Sequence, residues 1–164
     1  MNPPGRSILF VAIIGLLAMM GGIVYYASLD NDDLSMATIE LQGVELIDVN
    51  SIENRAMLKV TFLVANPGDV TVTVPVISYR LFADGSEIGN GAYSTEDVAM
   101  PGRAAFYPDA EIPLKTKISI VMSEMSETVY NKIVSGQIVQ YSATGQMTVE
   151  SAWSIVELDF DTSS

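Results

Sequence analysis

The sequence predicts a mainly β protein, an antiparallel β-sandwich with one short helix, preceded by a single N-terminal transmembrane helix. Three observations lead to this prediction. Residues 8–29 are uncharged and apolar, apolar side chains then recur at every second position, and residues 124–135 have helical periodicity instead. The expected parts are therefore an N-terminal segment (1–7), a transmembrane helix (8–29), a linker (30–37) and a β-sandwich domain (38–164).

The transmembrane helix is predicted from a stretch without charge or proline. Its 22 residues would span about 33 Å as a helix, enough for a hydrocarbon core of about 30 Å. Arg6 precedes the stretch, whereas Asp30, Asp32 and Asp33 follow it. Basic residues accumulate on the cytoplasmic side of membrane helices. We therefore expect a single-pass protein of the cell membrane, with its N-terminus in the cytoplasm and its C-terminal domain outside.

Four residues of this helix are candidates for membrane or helix packing. Tyr25 and Tyr26 lie near the outer end, where amphipathic rings favour the membrane interface. Ala18 and Gly22 form a small-xxx-small pair that could pack against another helix, although such residues are common in membrane helices. A cleaved signal peptide is the alternative, but its apolar core is usually about 7–15 residues long. We expect a retained signal anchor.

Alternating apolar and polar residues predict about seven strands, which favours a β-sandwich. Asn66-Pro67-Gly68 and Asp84-Gly85 are turn signals, the second typical of a tight hairpin. Gly43 and Pro75 interrupt the alternation and predict β-bulges, or an edge position in the case of Pro75. The apolar members of the clearest strands are Leu58, Val60, Phe62 and Val64; Ile77, Tyr79 and Leu81; Val139, Tyr141, Met147 and Val149; and Val156, Leu158 and Phe160.

The one predicted helix of the outer domain has Met125, Val129 and Ile133 on a single face. Ser123 is its expected cap, and Gly136 its expected end. We expect this helix to close one end of the two sheets. The other residues expected in the core are Met122 and Trp153, together with Met125.

The composition excludes several classes of function. The chain has 20 acidic and 8 basic residues, a net charge of −12, and neither cysteine nor histidine. Nucleic-acid binding needs clustered basic residues, and histidine or cysteine carries much of enzymatic and transition-metal chemistry. Gly89-x-Gly91-x-x-Ser94 lacks the strand–helix context of a dinucleotide loop. We expect a protein that is not an enzyme, has no cofactor and no small-molecule substrate, and does not bind nucleic acid.

Two acidic groups are weak candidates for a cation site. Carboxylates at alternate positions of a strand lie on one face and can offer oxygen ligands to a hard cation. Alternatively, these charges keep an exposed strand edge from pairing with other molecules. The candidates are Asp30, Asp32 and Asp33 after the helix, and Glu157, Asp159 and Asp161 on the last strand.

The outer domain also carries an ordered series of short motifs, from about Thr38 to Phe160. The series resembles the late-embryogenesis-abundant (LEA) type 2 family, also called the water-stress and hypersensitive-response domain. The resemblance implies an immunoglobulin-like sandwich with one helix and a non-catalytic part in stress tolerance or membrane association. The motifs are Val44-Glu45-Leu46, residues 59–67 (KVTFLVANP), 77–82 (ISYRLF), Asp84-Gly85, 88–91 (IGNG), Pro101-Gly102, Ile112-Pro113-Leu114 and 141–145 (YSATG).

These observations favour a membrane-anchored, extracytoplasmic module for protein interaction or for envelope and stress protection. Its expected partners are the membrane and other membrane or envelope proteins. A narrower form of this hypothesis is an accessory subunit of a larger membrane complex. The alternative is a pilin-like filament subunit, with its apolar helix in the core of a fibre. Many members of the family that this chain resembles are soluble or cytoplasmic, whereas an anchored, outward-facing domain resembles prokaryotic, and especially archaeal, envelope proteins.

Overall fold

The computed structural model describes residues 5–95 and 105–164. Two antiparallel sheets face each other, as predicted. One has three strands in the order β1-β2-β6, and the other has the order β4-β3-β7-β8 with the short β5 beside β3. The elements are α1 (Gly5–Ser28), α2 (Asp30–Leu34), β1 (Thr38–Asn50), β2 (Arg55–Asn66), β3 (Val72–Ala83), β4 (Ser86–Ser94), β5 (Ala105–Phe106), β6 (Ala110–Val121), a 3₁₀ turn (Met122–Glu124), α3 (Glu127–Val134), β7 (Tyr141–Glu150) and β8 (Ile155–Ser163).

The core lies between the two sheets and is built from the alternating apolar residues. Phe62 from β2 contacts Tyr79 from β3 edge-on, with ring centroids 4.9 Å apart. Phe62 also contacts Phe160 of β8 edge-on, at 5.8 Å. Such edge-to-face pairs contribute about 0.5–1.5 kcal/mol beyond the area they bury. The predicted inward residues of β2 and β3 are buried, and those of β8 are half-buried against the same core.

The turn and bulge predictions are confirmed. Asp84 and Gly85 connect β3 to β4, both with positive φ (49° and 79°), as a tight hairpin requires. The β1–β2 register shifts between Leu41 and Gly43. The β3–β7 register shifts between Thr73 and Val76, the interval that contains Pro75. Since proline cannot donate a ladder hydrogen bond, a central strand accommodates it at such an irregularity.

The predicted helix is shorter than expected and begins later. Strand β6 stays paired with β2 as far as Val121, and the Met122 amide donates to the carbonyl of Asn54. These bonds keep the chain on the sheet, so α3 begins only at Glu127. Ser126, not Ser123, is its N-cap, and Gly136 follows its end with a φ of 69°. The buried face consists of Val129, Tyr130 and Ile133.

The placement of Trp153 in the core was wrong. Its side chain is 68% exposed, in the turn between β7 and β8. Met122 and Met125 are partly buried against the core. Val139 precedes β7 instead of belonging to it. The Pro101-Gly102 motif lies outside the described residues.

Candidate functional site

The first candidate surface is α1, which is long and apolar enough to cross a membrane. All its described side chains from Ser7 to Tyr26 are exposed. Tyr25 and Tyr26 lie near its C-terminal end. Ala18 and Gly22 are exposed as well, and a methyl group added at Gly22 would meet no atom within 4 Å. An apolar helix this exposed needs an apolar environment that the sandwich does not supply.

Helix α2 joins α1 to the sandwich, lies within the segment expected to be the linker (30–37) and is docked on the sandwich. Leu34 is 0% exposed and belongs to the core. The backbone of Asp33 lies against Gly68, where an added Cβ would come within 3.0 Å of the Asp33 carbonyl oxygen. The side chain of Asn31 hydrogen-bonds Ser154 in the β7–β8 turn. The apolar helix is therefore attached to the sandwich through packed contacts.

Asn66 organises the end of the sandwich on which α2 docks. Its side chain is buried and donates hydrogen bonds to the carbonyls of Val70 (2.8 Å) and Phe106 (2.9 Å). Its side-chain oxygen accepts a hydrogen bond from the Gly68 amide at 3.2 Å. One side chain thus satisfies three backbone groups and ties the β2–β3 loop to β5. The role of the asparagine in the Asn-Pro motif is structural.

The second candidate surface is the outer face of the five-stranded sheet. Neighbouring strands place Arg80 beside Asn90 and Thr144, and Ser78 beside Gln146. These residues line a shallow depression of about 560 Å³ that is open to solvent. The Arg80 guanidinium lies 5.9 Å from the Phe82 ring centroid. Ligand pockets usually enclose most of a small molecule, whereas this depression is open and shallow.

The acidic residues of β8 lie where the strand pattern placed them. Glu157, Asp159 and Asp161 are exposed on the face opposite the half-buried apolar residues. The side chain of Gln146 donates a hydrogen bond to Asp159 at 2.9 Å. Within the described part of the chain, no three acids are grouped so that they could hold a metal ion. Asp32 is exposed on α2 and Asp33 is half-buried there, whereas the side chain of Asp30 lies outside the described set.

The two sheets are also connected at both edges. On one side the Leu41 amide of β1 donates to the Thr162 hydroxyl of β8 at 3.0 Å. On the other side the Thr116 hydroxyl of β6 donates to the Ala92 carbonyl of β4 at 2.9 Å. Each edge of one sheet therefore faces an edge of the other, which leaves less free edge for pairing with other chains.

The shifted pKa values have structural causes. Hydrogen bonding to Lys59 lowers the pKa of Glu45. Hydrogen bonds from Lys132 and from the Gln140 backbone lower the pKa of Asp84. Burial raises the pKa of Tyr79 to about 12, so this hydroxyl stays neutral at physiological pH. Hydrogen bonding, mainly from lysine, accounts for the two lowered pKa values, and burial accounts for the raised one.

Comparison with known proteins yields similarity to solved structures alone. No family model matches the chain, and no curated protein matches it. A solution structure from Arabidopsis thaliana is similar at 16% identity and a TM-score of 0.51, covering 77% of this chain and 79% of its own. A crystal structure from Archaeoglobus fulgidus has 16% identity and a TM-score of 0.45, covering 76% and 94%. A solution structure assigned to an LEA protein has 9% identity and a TM-score of 0.44, covering 96% and 88%.

These similarities concern the fold. At 16% identity, the Arabidopsis thaliana structure supports the β architecture and says nothing of activity. The class that the structure defines is a mainly β protein of two antiparallel sheets, with an N-terminal apolar helix and a short helix α3.

Proposed function

We propose that the protein is a non-enzymatic module of the cell membrane, anchored by α1, that presents its β-sandwich outside the cytoplasm to protein partners. The observation that carries the proposal is the junction between helix and sandwich. An exposed apolar helix leads through α2 into Leu34, which is wholly buried in the core. A membrane would cover α1, and the docked junction would hold the sandwich at its surface.

Membrane fractionation combined with protease treatment of intact cells tests this topology. We expect the full chain in the membrane fraction and the sandwich accessible to external protease. Leu16→Arg combined with Leu17→Arg should release the protein, since each arginine at a helix centre costs about 2.5–3.5 kcal/mol on insertion. Ile47→Arg combined with Ile52→Arg is the matched control, because these exposed side chains lie on the sandwich. A wild-type protein found in the soluble fraction contradicts the proposal.

Kinship with the LEA type 2 family, and a part in envelope or stress protection, belong to the same proposal. Its support is the placement of the motifs. The Tyr79 position pairs with Gly91 on one neighbouring strand and with Gly145 on the other, so three separate motifs meet in one row. Survival of a deletion strain after drying tests the stress role. Equal survival of mutant and parent would remove it.

An accessory subunit of a membrane complex is the narrower form of the proposal. Ala18 and Gly22 share one exposed face of α1, which a second helix could approach closely. Gly22→Leu should then disrupt a complex seen by native electrophoresis after gentle extraction. Val24→Leu, on the opposite side of the helix, should leave it intact. Migration of the wild-type protein as a lone chain argues against a complex.

The pilin-like alternative predicts a processed mature protein. Sequencing the mature N-terminus separates the two functions, because an unprocessed start at Met1 or Asn2 excludes a pilin-type cleavage.

A further inference from the structure

The end of the sandwich nearest α1 exposes large apolar side chains. We call this the basal end; it comprises residues 30–37, 67–71, 105–110 and 150–155. Trp153 and Ile155 are 68% and 64% exposed, Tyr107 is 65% exposed, and Met36 is 49% exposed. Exposed aliphatic side chains also occur towards the opposite end, at Ile52 and Ile138, but within the described sandwich the exposed aromatic side chains, Trp153 and Tyr107, both lie at the basal end. Exposed aromatic residues grouped in this way indicate a surface that contacts something less polar than water.

The turn that carries Trp153 is well defined. The Ser151 hydroxyl oxygen accepts hydrogen bonds from the amides of Trp153 (3.2 Å) and Ser154 (3.1 Å). The Ser151 amide donates to the Ser154 carbonyl at 2.8 Å. Ser154 is hydrogen-bonded in turn to Asn31 of α2. The indole is therefore directed outward by an ordered turn that is fixed to the helix leading towards α1.

The distance from α1 to this turn is short. Ser28 ends α1 and Leu34 is already in the core. At about 1.5 Å per residue, the helical path between them is about 9 Å. The headgroup region on each side of a bilayer is about 5–8 Å thick. If α1 crosses the bilayer, a path of about 9 Å places the basal end at the outer boundary of the headgroup layer, within the membrane interface where tryptophan and tyrosine are enriched.

We propose that the β7–β8 turn is a lipid-contacting element, with Trp153 and Ile155 seated in the headgroup layer of the membrane that α1 crosses. This inference rests on the proposed function, because it requires α1 to be inserted. The exposed charges of the basal end indicate which lipid headgroups it favours. Asp32, Asp69 and Asp109 are exposed there, and the described residues of this end include no lysine or arginine. Such a surface fits zwitterionic headgroups and is repelled by anionic ones.

The chain provides its own probe, because Trp153 is its single tryptophan. The full-length protein is reconstituted into phosphatidylcholine vesicles, with or without bromine on the upper acyl chain as a short-range fluorescence quencher. We expect the emission of Trp153 to be blue-shifted relative to an exposed tryptophan and to lose intensity in brominated vesicles. Replacing part of the phosphatidylcholine with phosphatidylglycerol should reduce the quenching.

The control moves the probe to the opposite end. Ile138, in the loop between α3 and β7, is 99% exposed. In the variant Trp153→Phe with Ile138→Trp, the emission should be red-shifted and unaffected by bromine. Because the wild-type protein carries the informative probe, the test does not depend on a variant folding correctly.

The outcomes separate this inference from the proposed function. Protein that floats with vesicles but shows no quenching of Trp153 overturns the lipid contact and leaves the membrane anchor standing. Equal quenching at positions 153 and 138 also overturns it, because the sandwich would then lie on its side. Protein that does not float with vesicles contradicts the anchor, and the lipid contact with it.

Discussion

Gly145 lies directly opposite Tyr79 in the β3–β7 ladder, at a position where the two backbones approach too closely for any side chain. A Cβ at Gly145 would overlap the carbonyl oxygen of Ser78 and come 2.8 Å from the Cα of Tyr79. On the other neighbouring strand, a Cβ at Gly91 would come 2.5 Å from the Tyr79 hydroxyl. The Tyr79 side chain thus occupies the space that Gly91 leaves open, and the backbone of Ser78 and Tyr79 occupies the space beside Gly145.

Gly145→Ala should therefore destabilise the sandwich. The new methyl group would have to push strand backbone apart, and overpacking of this kind costs about 1–3 kcal/mol. Denaturant unfolding of the detergent-solubilised chain, followed by circular dichroism, measures the loss. Gly43→Ala is the matched control, since an added Cβ there has no atom within 4 Å. Equal stability of the two variants would contradict the close approach.

Leu34→Ala should weaken both the core and the attachment of α2. Truncating a buried leucine costs about 2–5 kcal/mol, and Leu34 is wholly buried. We also expect new protease cleavage within residues 30–37, because α2 would detach from the sandwich. Met36→Ala, which truncates an exposed side chain two residues away, should change neither property. Unaltered stability of Leu34→Ala would show that α2 is not docked.

Thr162→Val should cost more than Thr116→Val, although both remove a hydrogen bond between the sheets. The Leu41 amide at the first edge is part-buried, so losing its partner costs about 1–3 kcal/mol. The Ala92 carbonyl at the second edge is exposed and can bond water instead, so we expect losing its partner to cost less than losing the partner of the Leu41 amide. Unfolding free energies of the two variants test the order, and the double variant should be additive.

Asp84→Asn should remove part of the pH dependence of stability. The pKa of Asp84 is lowered in the folded state, by Lys132 and the Gln140 backbone. The carboxylate therefore stabilises the fold above its unfolded pKa of about 3.9, and this contribution is lost as the pH falls through the lower, folded pKa. Asn at this position also tolerates the positive φ of 49°.

Thermal melts between neutral pH and a pH below about 3.9 measure how the stabilisation by Asp84 depends on pH. The melting temperature of Asp84→Asn should lie below that of the wild type at neutral pH and converge with it in acid. Asp48→Asn, at an exposed position of β1, should parallel the wild type throughout. A constant difference between Asp84→Asn and the wild type would contradict the ion pair.

The strands were predictable because the information that specifies them is local. In β2 and β3, alternation places every second side chain in the core, and Asp84-Gly85 supplies the hairpin angles in two adjacent residues. The presence of helix α3 was predictable, but its first residue was not. The pairing of Val121 with Arg55 keeps the preceding chain on the sheet.

The candidate surfaces were harder to predict because they depend on contacts between distant residues. Leu34 directly follows three acidic residues and one asparagine, and its burial needs the closed sandwich. Trp153 has a large aromatic side chain of the kind expected in a core, but the turn formed by Ser151 directs it outward. The Leu41–Thr162 bond joins residues 121 positions apart. A signal for the basal end was present in the sequence, as Trp153 lies in a short segment between two predicted strands.

The burial of Leu34 also determines how far the sandwich can reach. With α1 in a bilayer, a helical stalk of about 9 Å would keep the domain close above the lipid, where it could not extend to distant ligands. Neighbours in the same membrane would meet it at a high effective concentration, so even weak contacts with them could be well occupied. Lengthening this helical stalk would lower the effective concentration of these neighbours without changing any contact surface.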